Sequence, residues 1–142
     1  MRCWFLILLS CAFAPLSVAQ DEGGDEPEWV VTVGADGRFR HAGTVIDSLA
    51  LVRSAEAFWS RHPMGRFALV IPREAHLSIP TETFERRYDA GLAVVSAVLT
   101  PYLDAACEAV ARHVHGRELE ELSSPQRLAI RSRVVVVRRA AD

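Results

Sequence analysis

Phe67-Ala68-Leu69-Val70-Ile71 is an unbroken apolar run, entered at Arg66 and stopped by Pro72. Five apolar residues, the last two β-branched, leave no polar face, so the segment must be buried on both sides. Its length and the closing proline favour a strand over a turn of buried helix. Such a strand needs other elements to cover it, and the flanking sequence supplies them in α/β order.

Upstream, Trp29-Val30-Val31-Thr32-Val33 is rich in β-formers and is followed by Gly34-Ala35-Asp36-Gly37 and then Arg38-Phe39-Arg40-His41. An Asp-Gly pair between two such runs predicts a hairpin, because glycine supplies the positive φ of the turn. Phe39 faces opposite to Arg38 and Arg40, which gives the second strand one wet face and suits an edge or near-edge position. Asp47 or Ser48 can cap a helix running to about His62, with Leu51, Val52, Ala55, Phe58 and Trp59 as its apolar stripe. Pro63 closes that helix, and Met64-Gly65 turns the chain into the apolar strand.

After a loop from Pro72 to Pro80, Thr81 can cap a helix carrying Phe84, Tyr88, Leu92, Val95 and Leu99 on one side. At Thr100-Pro101 two outcomes stay open: a second helix restarting at an angle, or one long helix kinked at the proline. The residues beyond it, Leu103, Cys107, Val110 and Val114, read as inward-facing, and Gly116 ends the helix. Ser124-Pro125-Gln126 starts another short helix through about Arg131. Val134-Val135-Val136-Val137 reads as a last buried strand. The expected fold is a two-layer α/β (α+β) domain with a small mixed sheet: a hairpin, a β-α-β unit, two or three further helices and a C-terminal strand.

The first nineteen residues have a separate task. Arg2, the apolar run Trp4 to Ala14, Pro15 and the small residues Ser17-Val18-Ala19 have the anatomy of a secretory signal cut after Ala19. An uncleaved anchor and lipidation at Cys11 are the alternatives, and either would bring the chain to a membrane. Residues 20–28 are acidic and glycine-bearing, without apolar side chains, and read as a mobile leader. The single α/β domain is then 29–142, and the chain is expected to be periplasmic or secreted.

Cleavage leaves Cys107 as the lone cysteine, so no internal disulfide is expected and the thiol reads as a small core residue. It also leaves 15 of the 16 basic side chains, all arginine, against 18 acidic ones. A slightly acidic domain lacks the basic footprint that nucleic acid requires.

The series Val31-Thr32-Val33, Asp36-Gly37, Gly43, the helix closed by Pro63, the strand Leu69-Val70-Ile71 and the helix after Pro80 resembles the periplasmic domain of the ExbD/TolR family. Members of that family are small subunits of proton-driven motors in bacterial envelopes. The resemblance covers residues 29 to 95. It implies a small, often dimeric envelope domain that docks on partners or the cell wall. The family's membrane helix carries an acidic residue used in proton flow; the run Trp4 to Ala19 has no Asp or Glu, so that role does not transfer. The segment 100–142 exceeds the family pattern.

Candidate chemistry is sparse. Arg73, Glu74 and His76 follow the apolar strand at the end where open α/β sheets place ligands, and form the candidate binding site. Arg86-Arg87 with Asp89, and Arg138-Arg139, are candidate anion contacts. His113 and His115 are the runner-up metal pair, but residues two apart on a helix point about 200° from each other, whereas zinc helices use a four-residue spacing. No Gly-x-Ser-x-Gly elbow and no phosphate-cradling glycine loop is present, so neither a nucleophile nor a cofactor is expected. These features favour a non-catalytic exported binding or docking domain. It would meet an envelope protein, a cell-wall component or a second copy through an exposed sheet edge, either Trp29–Val33 or Val134–Val137. A small secreted metal-binding protein or hydrolase, and an exported inhibitor or immunity-type protein, are the alternatives.

Overall fold

The computed structural model describes residues 26–140. The expected signal sequence, residues 1–19, and residues 20–25 of the expected leader lie outside the described residues. Strands β1 (Glu28–Val33), β2 (Phe39–His41) and β3 (Thr44–Val45) precede helix α1 (Ser48–Arg61). Strand β4 (Arg66–Ile71), helix α2 (Thr81–His115), helix α3 (Ser124–Val134) and strand β5 (Val135–Arg139) follow, with single 3-10 turns at Glu74–His76 and Leu119–Glu121. The mixed sheet expected from sequence is present, in the order β3-β2-β1-β4-β5. Strands β1, β4 and β5 run parallel; β2 is antiparallel to both of its neighbours.

Because the chain moves from β3 to β4 to β5 in one direction across the sheet, right-handed crossovers put every connecting helix on the same face. Burial follows that geometry. Trp29, Phe67 and Val135 are register partners, as are Val31, Leu69 and Val137, and these rows point into the core. They meet Leu51, Ala55 and Trp59 of α1, then Leu92, Val95, Leu99 and Leu103 of α2, then Ile130 and Val134 of α3. Among the described residues no helix covers the opposite face.

Local chemistry explains the boundaries. Asp47 caps α1 by accepting from the Leu49 amide. Ser123 and Gln126 form a reciprocal capping box at α3, and Gly116 ends α2 at φ 63°. The hairpin turn is locked by Asp36, which takes both outer nitrogens of Arg40 at 3.0 and 2.9 Å and the Arg38 amide at 3.2 Å. Helix α2 runs through Pro101 without a break, which decides between the two readings of that proline. Leu99, Leu103, Ala106 and Cys107 are all buried on one face around the proline, and a change of direction there would unpack them.

Four expectations are corrected. Trp29–Val33 is no edge: β1 is the middle strand, paired on both sides. Two-residue β3 was not foreseen and takes the edge beyond β2. The leader does not extend to Glu28; that residue opens β1, and Glu26 and Glu28 both hold arginines of the domain. Val52 and Val114, assigned inward by periodicity, are 38% and 52% exposed. Val52 lies at the margin of its helical stripe, and Val114 lies on its stripe but in the last turn of α2, past the buried part of the helix.

Gly91 marks the tightest approach in the core. A Cβ there would stand 2.4 and 2.6 Å from ring carbons of buried Phe39. Overpacking a core costs about 1–3 kcal/mol, while alanine gains about 1 kcal/mol over glycine within a helix. Gly91→Ala is therefore expected to lower stability by about 1 kcal/mol net, read as a reduced urea midpoint with unchanged slope.

Candidate functional site

Three places carry polar side chains arranged by the fold: the uncovered sheet face running out to the β5 edge, the loop after β4, and a cluster between β2 and α1. On the uncovered face the register rows are Glu28–Arg66, then Val30–Ala68–Val136, then Thr32–Val70–Arg138. Glu28 and Arg66 sit side by side, with Arg66 Nη2 donating to Glu28 Oε1 at 2.5 Å. Arg138, two strands over and two rows up, donates from Nη1 and Nη2 to both oxygens of the same carboxylate at 2.7 and 2.5 Å.

The line from Glu28 to Arg138 crosses β4 at Ala68. Ala68 is 0% exposed on this face, while Val30 beside it is 37% exposed. Glu26 adds a second carboxylate at the base, hydrogen-bonded to Arg133 and 3.9 Å from Arg66 Nη1.

Strand β5 ends the sheet on this side. Ala140 donates its amide to Ile71, so by the alternation of strand backbones Val136 and Arg138 also turn their polar groups toward β4. Val137 and Arg139 then turn amide and carbonyl outward. Among the described residues no strand pairs with them. Arg133, Arg138 and Arg139 frame this edge.

The sequence-derived candidate site is placed in the turn after β4. Arg73, Glu74 and His76 are all exposed there, on and beside the 3-10 turn. The Ser78 amide donates to the Ala35 carbonyl at 3.1 Å, tying this loop to the hairpin. The three residues share a turn and lie at the end of β4, as expected. The order β3-β2-β1-β4-β5 reverses between β1 and β4, since the chain leaves β1 toward β2 and leaves β4 toward β5, so this loop and the turn after β1 lie at the point of reversal, where open sheets place ligands. His113 and His115 are both exposed in the last turn of α2. Among the described residues no group of three His, Cys, Asp or Glu side chains gathers around a common point, and the pair gains no further ligand. Arg87 is committed to the hairpin, donating to the Asp36 carbonyl at 2.8 Å, and Arg86 faces Glu82. Cys107 is 0% exposed, and burial pushes its thiol up to about 12, which makes it inert at neutral pH.

Sequence reading missed the third place. His41 Nδ1 lies 2.8 Å from the Val30 carbonyl, and its Nε2 lies 2.9 Å from Ser54 Oγ. Trp29 Nε1 donates to the same hydroxyl at 3.0 Å, and the His41 ring stacks on the indole at 4.3 Å. The residues come from β1, β2 and α1, and no spacing in the sequence announces their meeting.

No protein-family model matches the chain, and neither the curated proteins nor the solved structures include a match. Helix α2 is long and apolar enough to cross a bilayer by length and composition. One of its faces is spent on the sheet and α3.

The bidentate Arg138 guanidinium, with Arg66 beside it, holds the Glu28 carboxyl below its ordinary value against the opposing effect of partial burial. A folded value below the unfolded one means that Glu28 stabilises fully above the ordinary carboxylate range, and that this contribution fades as pH falls toward the lowered value. Glu28→Gln is expected to lower the urea midpoint at neutral pH and to flatten its fall under acid. Paired urea titrations of both proteins from neutral to acid pH measure the difference.

Proposed function

We propose that the chain is a non-catalytic docking domain exported to the bacterial envelope, which binds an extended segment of a partner protein along β5. The observation that carries the reading is the unpaired outer edge of β5 with its arginine frame. An open edge is a ready template for one more strand. The charge on the edge selects the occupant. Arg133 and Arg138 already hold Glu26 and Glu28 of the same chain, so carboxylates are the groups this surface accepts. A second copy paired here would bring two sets of Arg133, Arg138 and Arg139 together, and like charges across a strand pair are destabilising. A carboxylate-bearing strand meets no such penalty.

The envelope location rests on the N-terminal apolar run and on the resemblance to ExbD/TolR periplasmic domains. The order of strand, hairpin, helix, strand and long helix is compatible with that resemblance. Metal-binding and hydrolytic readings built on His76, Glu74, His113 and His115 find no convergence of those residues to support them.

The backbone direction of β5 supplies a clean test. Val137 turns its amide outward, so Val137→Pro removes a docking donor without touching the ladder to β4. A fluorescent peptide alternating glutamate and valine is expected to bind the wild-type chain, and the lysine–valine counterpart is not. Val137→Pro is expected to weaken binding at least tenfold relative to Val137→Ala, which gives up the same core-facing side chain but keeps the outward amide. Equal binding by Val137→Pro, or strand-paired dimers across a dilution series by sedimentation, would overturn the proposed occupant.

A further inference from the structure

The cluster of Trp29, His41 and Ser54 has a fixed polarity. The Val30 carbonyl can only accept, so His41 must carry its proton on Nδ1, which leaves the Nε2 lone pair facing Ser54. The indole can only donate, so Ser54 Oγ accepts from Trp29 and directs its own proton at Nε2. Stacking on the indole holds the imidazole plane in place. A serine hydroxyl aimed at a neutral imidazole, which is oriented in turn by a third group, is the arrangement that activates a nucleophile.

Access is provided by small residues. Ser54 and His41 are both partly exposed. Ala50 and Ala57, one turn to either side of Ser54 on α1, are exposed, as are Ala42 and Gly43 after His41. A Cβ placed on Gly43 would meet nothing within 4 Å. The rim therefore admits a small electrophile and has no walls to select a large one.

We propose that Ser54 is an acyl-accepting nucleophile with His41 as its base, taking short acyl groups from activated esters. Ser54 Oγ attacks the carbonyl carbon while its proton passes to His41 Nε2. The bond from that carbon to the leaving oxygen breaks, and the alcohol departs with the proton from Nε2. An ester of Ser54 and a neutral His41 remain, with no other reactant required. The step ends at the Ser54 ester, a single stoichiometric acylation without turnover, so it sits beside a non-catalytic docking role, and the site shares no residue with the β5 edge.

The probe is p-nitrophenyl acetate, followed by intact mass and peptide mapping of the full chain. The native protein is expected to acetylate at Ser54 ahead of its other serines, such as Ser60, whose hydroxyl is turned to the Ala57 carbonyl. That preference should vanish in urea, a readout that needs no variant. His41→Asn keeps a donor near the Nδ1 position for the Val30 carbonyl, and His41→Gln places an amide near Nε2. Neither supplies a base, and each should slow Ser54 acetylation about 100-fold. Acetylation spread evenly over the serines of the native chain, or Ser54 labelling unchanged in a folded His41 variant, would overturn the proposal.

Discussion

One carboxylate ties together the sheet face that no helix among the described residues covers. Glu28 holds Arg66 beside it and Arg138 two strands away, so three parallel strands are linked through one side chain at their exposed face. The link is favourable because the guanidinium of Arg138 is bidentate and therefore directional.

The same one-sided architecture governs the edges. One edge is β3, only two residues long and thus a poor template for pairing. The other is β5, longer and open, with valines on both faces and arginines at its ends. Edges left open in soluble domains are usually blunted by charge, and arginines serve that purpose here against a second copy of the chain. They do not serve it against an acidic strand, for which they are attractive. The proposed docking role follows from that asymmetry.

Much of the framework was legible because it is written in local chemistry. Asp47 and Gly116 bound their helices where capping rules place them and Asp36-Gly37 makes the hairpin, while Ser123 rather than the expected Ser124 caps α3 and Pro80 rather than Thr81 stands at the N-cap of α2. The apolar run at Phe67 proved to be a strand bonded on both edges, as its composition demanded. The site was much less legible. Glu28 read as part of a solvated leader because nothing nearby in the chain answers its charge; its partners are 38 and 110 residues away. Ser54 and His41 read as ordinary helix and strand residues for the same reason. Arg73, Glu74 and His76 stand exposed in the turn after β4, where the end of the apolar run placed them.

Sequence alone determined the longer helices and strands and their α/β order, though not the short edge strand Thr44–Val45 or the helical end at Val134, because caps, turns and periodicity act over a few residues. Tertiary structure decided which strand is central, which edge is open, and which charges meet. Those outcomes depend on the direction of the crossovers and the register of β1, β4 and β5, and both are fixed only when the helices pack on a common face.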